Sequence, residues 1–293
     1  MLHGRHRSLL SDDMKVVLIT GASMGIGRHC AARLAARGDH VYGTSREPAS
    51  VEAVDGVNLV RLDVASDESV RGCIDTVLER EGCIDVLVNN AGFGYGGAVE
   101  ETSVDEARHI FEINTLGILR MCQAVLPAMR QQGQGHIVNI SSLGGLMAMP
   151  FQGLYNASKF ALEGLSEALR MEVRPFGIHV TLVEPGDVST QFTRNRLMTT
   201  ASRQSPVYRQ QQTKTMAIVE QDEAGGISPA RVAELVEKVI SRRAPRRRYV
   251  AAHRLQRLAA WLDGVLPQAM MEYLIMDHYD MDRRRSAPAG GRS

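Results

Sequence analysis

The chain has 293 residues, a net charge of +1 and 44% hydrophobic residues, which suffices for one large α/β domain. The near-neutral charge gives no reason to expect nucleic acid as a partner. No apolar run reaches the roughly 18 residues of a membrane span, and the basic, polar start lacks a signal-peptide core. Four cysteines without metal-ligand spacing indicate reduced thiols in a cytoplasmic protein and no metal site.

The N-terminal part of the chain predicts a strand–turn–helix–strand unit. The β-branched run Lys15–Thr20 predicts a buried parallel strand, and His40–Ser45 predicts the next one. Between them a glycine-rich turn opens a helical pattern. Such a unit binds dinucleotides, because glycines let the backbone approach a pyrophosphate and the helix N-terminus offers free N–H groups. A tight turn without a ligand is the alternative. The candidate contacts are Gly21, Ser23, Met24, Gly25, Ile26 and Gly27.

The end of the second predicted strand indicates which dinucleotide is bound. NAD-binding proteins place an acidic residue there to bind the ribose hydroxyls. This chain has Ser45 followed by Arg46, and a guanidinium favours a 2′-phosphate. We therefore expect NADP(H) rather than NAD(H). Glu47 is the competing candidate, although Pro48 beside it suggests that it has left the strand, and a solvated loop arginine is the alternative for Arg46.

A tyrosine and a lysine four residues apart form the candidate catalytic pair. On a helix Tyr155 and Lys159 share one face. A nearby ammonium lowers the pKa of a phenol, which would make the pair a proton donor and acceptor near neutral pH. Taken alone, such a pair is more often a tyrosine beside a solvated lysine. Ser142 ends the predicted strand Gly135–Ser142, at the edge where parallel sheets bind ligands.

Together these motifs resemble the short-chain dehydrogenase/reductase family over about Lys15–Thr190. The stretches GGLMAMPF before Tyr155 and FALEG after it are similar to the 17β-hydroxysteroid/retinol dehydrogenase-like branch. The motifs that carry the resemblance are Thr20-Gly21-x-x-x-Gly25-x-Gly27, Asn89-Asn90-Ala91-Gly92, Tyr155-x-x-x-Lys159 and Pro185-Gly186-x-Val188-x-Thr190.

The resemblance implies a role for each matching residue. Tyr155 would be the general acid/base, Lys159 would lower its pKa and bind the nicotinamide ribose, and Ser142 would stabilise the developing alkoxide. Asn114 would distort its helix and hold a water that relays protons from the lysine. The implied cofactor contacts are Asp63 and Val64 at the adenine, Asn90, Ala91 and Gly92 near the ribose, and Pro185, Gly186, Val188 and Thr190 at the carboxamide.

The expected fold is α/β, with a single Rossmann-type, doubly wound parallel sheet of about seven strands and helices on both faces. Residues 14–282 are expected to form this one domain. It would include a helical substrate lid at about 191–226 and C-terminal helices at about 253–280. One long helix is expected from about Ser103 to Gln131. Residues 1–13 and 283–293 are expected to be disordered because of their polar composition.

The expected activity is reversible hydride transfer between NADP(H) and a carbonyl or secondary alcohol of a lipophilic small molecule. A non-catalytic NADP(H)-binding regulator on the same fold is the alternative. An arginine among Arg194, Arg196 and Arg203 could serve a carboxylate substrate. The candidate substrate contacts are Ser142, Met147, Met149, Phe151, Tyr155 and Phe192, with Met198 as a further candidate, although several of these could be simple core residues.

The C-terminal region carries an apolar stripe, formed by Leu255, Leu258, Trp261, Leu262 and Leu266. Packing within the chain is the expected role of this stripe. A subunit contact and a peripheral membrane contact are the alternatives. The family resemblance implies a homodimer or homotetramer.

Overall fold

The computed structural model describes residues 14–281. The predictions for residues 1–13 and 283–293 lie outside this range. Seven parallel strands form the main sheet, in the order β3-β2-β1-β4-β6-β7-β9, and a second sheet pairs β5 with β8. The strands are β1 Val16–Ile19, β2 His40–Ser45, β3 Val57–Arg61, β4 Val86–Asn89, β5 Tyr95–Gly96, β6 Gly135–Ile140, β7 Ile178–Pro185, β8 Leu197–Met198 and β9 Arg248–Ala251.

Helices cover both faces of the main sheet, as the doubly wound prediction requires. The helices are α1 Gly25–Ala36, α2 Asp67–Glu81, α3 Val104–Phe111, α4 Gly117–Gln132, α5 Gly153–Val173, α6 Arg209–Ala224, α7 Pro229–Ile240, α8 Arg254–Asp263 and α9 Gln268–His278.

The first strand shows why the sheet has two buried faces. Val16 and Leu18 belong to one buried cluster, formed with residues of α2, α4 and α5. Val17 and Ile19 belong to the opposite cluster, formed with residues of α1 and α7. Alternate residues of a strand point to opposite faces, so a continuous apolar run is needed where both faces are covered. Each such side chain contributes about 1.5–3 kcal/mol by burial.

The direction of strand addition reverses beside β1. The chain adds β2 and β3 on one side of β1, and β4, β6, β7 and β9 follow on the other. In open α/β sheets the crevice at such a switch point, outside the carboxyl ends of the strands, is where ligands bind. The topology therefore brings the glycine-rich turn after β1 and the Asn90 turn after β4 to the same crevice.

The expected single helix from about Ser103 to Gln131 is wrong in one respect. A π-helical turn, Glu112–Leu116, separates α3 from α4. Asn114 lies in this turn and is fully buried. Its side chain bonds outside its own helix, and such competing bonds accompany local distortion of the helical ladder.

The C-terminal stripe does not pack into the chain as expected. Leu255, Leu258 and Trp261 are 80%, 50% and 62% exposed. Leu255 and Leu262 both line the main cleft. Amphipathic periodicity places these residues on one helix face but does not supply a partner for it. Among the residues that the structure describes, no helix combines the length and apolarity that crossing a bilayer requires.

Candidate active site

The glycine-rich turn forms one end of a cleft of about 2080 Å³. Gly21 and Gly25 have φ values of +66° and +54°, a region that glycine adopts at little cost. α1 begins at Gly25 without a side-chain cap and without an acidic residue in its first turn. Its first N–H groups therefore remain available to an anion, and the helix dipole adds positive potential.

Gly27 supports this turn from behind instead of lining the cleft. A Cβ on Gly27 would lie 2.3 Å from the Gly21 carbonyl oxygen and 2.5 Å from Asn90 Nδ2. The close approach of α1 to the turn thus requires glycine at this position. The other predicted cofactor contacts line the cleft: Gly21, Ser23, Met24, Gly25, Ile26, Ser45, Arg46, Asp63, Val64, Asn90, Ala91, Gly92, Tyr155, Lys159, Pro185, Gly186, Val188 and Thr190.

Thr20 is a structural residue of the site that the sequence analysis assigned no contact. Its hydroxyl oxygen accepts hydrogen bonds from the backbone N–H groups of Asn90 and Ala91, at 2.9 and 3.0 Å. Asn90 Nδ2 in turn donates to the carbonyls of Thr20 and Gly21, at 3.0 and 2.9 Å. These bonds join the turn after β1 to the turn after β4. The position of Thr20 directly before the glycine motif was the available signal.

Arg46 stands at the end of β2 on the rim of the cleft. Within the part of the chain that the structure describes, its guanidinium forms no ion pair. Glu47 has left the strand and precedes a 3₁₀ turn, Pro48–Ser50, although it too lines the cleft. The arginine is therefore available to a phosphate at the place where a dinucleotide's ribose is bound.

Residues Ser142, Tyr155 and Lys159 meet at the other end of the cleft. Ser142 follows β6, while Tyr155 and Lys159 lie one turn apart on α5. Lys159 Nζ is 5.9 Å from the centroid of the Tyr155 ring. The Ser142 hydroxyl lies close enough to the phenol to lower its pKa, and its oxygen accepts a hydrogen bond from the Gly144 N–H at 3.0 Å.

Burial dominates the charge state of this group. Burial raises the pKa of Tyr155 to about 12, and the Ser142 hydroxyl opposes this only in part. Burial also lowers the pKa of Lys159 to about 8. Desolvation of the phenolate is the largest influence on the phenol in this geometry, and the lowering of its pKa by Lys159 stays a prediction. Tyr155 is a protonated phenol at neutral pH and thus a proton donor.

Asn114 supports the cleft without lining it. Its Nδ2 donates to the Phe93 carbonyl at 2.9 Å and to Ser158 Oγ at 3.1 Å. Its Oδ1 accepts from the Phe93 N–H at 3.1 Å. The residue thus fixes the loop after β4 against α5, and the water relay that the family resemblance implies for it stays a prediction.

The predicted substrate wall is present in part. Met147, Met149 and Phe192 line the cleft, and the rings of Phe192 and Tyr155 lie 5.7 Å apart. The predicted contact at Phe151 is not found, because Phe151 does not line the cleft and packs in a cluster with Met216. Met198 packs partly buried against that same cluster.

The sequence analysis missed two acidic side chains of the cleft wall, Asp187 and Glu223. Of its three candidate arginines, Arg194 and Arg196 line the cleft and Arg203 does not. Asp187, Arg196 and Glu223 all line the cleft. Asp187 fills the variable position of the turn Pro185-Gly186-x-Val188, which was a usable signal. Glu223 lies at the end of α6, and nothing in the local sequence pattern ties it to the site.

The family model "short chain dehydrogenase" matches residues 15–200. The chain belongs to the short-chain dehydrogenase family. This range holds the glycine turn, the Ser142–Tyr155–Lys159 group and the turn after β7. The protein is thus an oxidoreductase of a family that binds NAD(P).

Two relatives show the branch within this family. The chain is 41% identical over 265 residues to the 3-ketodihydrosphingosine reductase of Bacteroides thetaiotaomicron, covering 90% of this chain and 98% of that one. It is also 41% identical over 197 residues to human 17-beta-hydroxysteroid dehydrogenase type 1, covering 60% and 58% of the two chains. The resemblance to the 17β-hydroxysteroid/retinol dehydrogenase-like branch is confirmed.

Solved structures share the fold of this dehydrogenase. A short-chain dehydrogenase from Streptomyces avermitilis is 35% identical, with a TM-score of 0.78 over 92% of this chain and all of that one. A reductase from Burkholderia phymatum in complex with NAD is 28% identical, with a TM-score of 0.73 over 87% and 94% of the two chains. A metagenomic oxidoreductase in complex with NADP is 26% identical, with a TM-score of 0.64 over 80% and 96%. Similar structures thus bind either cofactor.

Proposed function

We propose that this dehydrogenase transfers hydride between NADP(H) and a carbonyl or secondary alcohol of a lipophilic small molecule, with Tyr155 as the general acid/base. The observation that carries the proposal is the convergence of Ser142, Tyr155 and Lys159 in a cleft whose far end holds an uncapped helix N-terminus. A nicotinamide dinucleotide fits this arrangement. Its pyrophosphate suits the helix N-terminus, and its nicotinamide ring would then reach the end that holds Ser142, Tyr155 and Lys159.

The side chains of the site suit carbonyl reduction. The bound nicotinamide supplies the hydride. Tyr155 is protonated at neutral pH and can donate that proton to the carbonyl oxygen as general acid. The Ser142 hydroxyl adjoins the phenol, so it can donate a second hydrogen bond to the same oxygen and stabilise developing negative charge. Lys159, buried one helical turn from Tyr155, can hold the ribose and replace the transferred proton.

NADP(H) is favoured over NAD(H) by Arg46. Its guanidinium lies on the cleft rim without an ion pair among the described residues, and a planar fork of N–H donors suits a 2′-phosphate. Glu47 is displaced from the strand end where an acidic residue would bind ribose hydroxyls.

A lipophilic substrate is supported by apolar side chains of the cleft. Methionine side chains adapt to irregular apolar ligands, and Met147, Met149 and Met271 line the cleft with Leu262 and Leu274. The names of the similar proteins, 3-ketodihydrosphingosine reductase and 17-beta-hydroxysteroid dehydrogenase, denote lipophilic carbonyl or hydroxyl compounds.

The test is a cofactor and substrate matrix with the purified full chain. NADPH and NADH oxidation would be followed with 3-ketodihydrosphingosine, a steroid ketone, an aromatic ketone and a short aliphatic ketone. We expect turnover with NADPH that is greatest for the lipophilic ketones. Tight NADPH binding without turnover of any ketone would favour the non-catalytic regulator instead, and failure to bind either cofactor would contradict both readings.

We further propose a cytoplasmic homodimer or homotetramer, with the exposed face of α8 at a subunit or membrane contact. Leu255, Leu258 and Trp261 supply apolar area on this face. Sedimentation measures the assembly, and flotation with liposomes separates the two contacts. A monomer that does not float would contradict both.

A further inference from the structure

Arg196 is a buried guanidinium on the wall of the cleft. Its side chain is 3% exposed, and its Nη2 group is paired with Glu223, which is 13% exposed. The Nε and Nη1 groups of Arg196 are buried and have no hydrogen-bond partner among the described residues. Buried N–H groups without an acceptor cost free energy. These two donors thus lack an acceptor within the described part of the chain.

Three carboxylates line the same cleft as this guanidinium, and one of them, Glu223, is paired with it. Asp187, Asp222 and Glu223 all line the cleft. Asp187 accepts a hydrogen bond from Gln256 Nε2, and Asp222 is bonded to His278 Nε2 at 2.8 Å. The carboxylates outnumber the guanidinium even where His278 is charged, so this wall carries surplus negative charge.

Burial and the surplus negative charge together raise the pKa values of Asp187 and Tyr279. Burial and the charges of Asp222 and Glu223 raise the pKa of Asp187 to about 6, while Gln256 and His278 act in the opposite direction. Burial and the same carboxylates also raise the pKa of Tyr279, whereas Arg196 lowers it. A cation bound among these groups would relieve their repulsion.

The charged wall lies beside the reacting position. The charges of Glu223, Arg196 and Asp187 all act on the Tyr155 phenol. Side-chain atoms of Phe192 and of Arg196 both lie close to Gly94. The Phe192 ring is in turn 5.7 Å from the ring of Tyr155. A ligand group held by this wall would therefore sit close to the carbonyl that Tyr155 protonates.

We propose that Asp187, Arg196 and Glu223 form a head-group subsite for an amino alcohol carried next to the reacting carbonyl. The carboxylates bind the ammonium, and the free N–H groups of Arg196 bind the hydroxyl oxygen. The alkyl chain then extends along the apolar wall that includes Met147 and Met149. This assignment rests on the proposed ketone reduction and names the substrate class of that site as long-chain amino ketones.

The test compares three ketones of one chain length with NADPH: 3-ketodihydrosphingosine, the same ketone without its amino group, and a ketone with a carboxylate in place of the amino alcohol. We expect kcat/KM to be roughly tenfold or more higher for the amino ketone than for the deaminated one, as for loss of one charged hydrogen bond. Equal values, or preference for the carboxylate, would overturn the subsite.

Single substitutions test whether Glu223 and Asp187 cause the preference for the amino ketone. Glu223→Gln and Asp187→Asn should raise KM for the amino ketone several-fold while changing KM for the deaminated ketone little. Glu220→Gln is the matched control, because Glu220 is exposed on the same helix and should leave both values unchanged. An equal KM rise for both ketones would overturn the ammonium assignment.

Failure of the subsite and failure of the proposed function are distinguishable. If the wild-type chain reduces the deaminated ketone as well as the amino ketone, the reductase function holds and the subsite does not. If no ketone is reduced although NADPH binds, the proposed function itself fails. The wild-type comparison does not depend on the folding of any variant.

Discussion

Lys159 Nζ donates a hydrogen bond of 2.9 Å to the carbonyl oxygen of Ile140, the last residue of β6. The bond ties the helix that carries Tyr155 to the strand end that precedes Ser142. The lysine therefore fixes the relative placement of Ser142 and Tyr155. Burial lowers the pKa of Lys159, and the charge of Glu163 acts in the opposite direction. The geometry leads to four further predictions.

Replacement of Tyr155 by Phe removes the proposed proton donor. General acid catalysis contributes about 10²–10⁴-fold in rate, so we expect kcat for ketone reduction to fall by at least ~10²-fold. NADPH affinity, measured by fluorescence titration, should change less than about threefold, because the phenol is only one of many cofactor contacts. Tyr208→Phe is the control, because it removes a tyrosine hydroxyl that is bonded to Glu100, at 2.6 Å, and has no proposed role in proton transfer. Undiminished turnover in Tyr155→Phe would contradict the role.

Replacement of Lys159 by Met should stabilise the fold below pH 8 while abolishing turnover. The folded-state pKa of Lys159 is about 8, below the ordinary value near 10.4. The buried charge therefore costs stability at pH 7, and the cost disappears as pH rises through 8 towards 10.4, because the unfolded chain then binds more protons. The lost hydrogen bond to Ile140 offsets roughly 1 kcal/mol of the gain.

Urea unfolding at pH 7 and pH 9.5 measures this difference. We expect Lys159→Met to exceed the wild type by about 1–2 kcal/mol at pH 7 and by less at pH 9.5. Lys238→Met, at an exposed position of α7, should show no pH-dependent difference. A variant less stable than wild type at pH 7 would show that the hydrogen bond outweighs the cost of the buried charge.

Replacement of Arg46 by Gln should weaken the preference for NADPH. Loss of a charged hydrogen bond to a phosphate corresponds to roughly a tenfold or greater change in affinity. We expect KM for NADPH to rise by about that factor and KM for NADH to change little. Arg61→Gln is the control, because Arg61 is an exposed residue at the end of β3. Parallel changes for both cofactors would exclude a 2′-phosphate contact.

Replacement of Gly27 by Ala tests the turn that we assign to the pyrophosphate. The added Cβ would meet backbone oxygen at 2.3 Å, so α1 must move, and we expect loss of NADPH binding together with a lower Tm. Gly72→Ala is the matched control, because nothing lies within 4 Å of its added Cβ in α2. An exposed helical Gly→Ala change should stabilise by about 0.5–1 kcal/mol. Normal NADPH binding by Gly27→Ala would contradict the assignment.

Sequence reasoning did not identify the pairs that residues of the site form with distant parts of the chain. Arg196 pairs with Glu223, 27 residues away, and Asp187 bonds to Gln256, 69 residues away. Local patterns carry no information about such pairs, because their members lie far apart in the sequence and come together only in the folded chain. For the same reason Phe151 was assigned to the substrate, although it packs in a separate cluster.

The sequence by itself determined the sheet, the glycine turn and the group of Ser142, Tyr155 and Lys159. These depend on local requirements, namely apolar runs for strands with two buried faces, glycine where φ is positive, and a four-residue spacing that places two side chains on one helix face. Only the tertiary structure decided the ionisation of Tyr155, the exposure of Leu255 and Trp261, and the charged wall around Arg196. Burial and pairing across distant segments set these properties, and both arise only when the whole chain is folded.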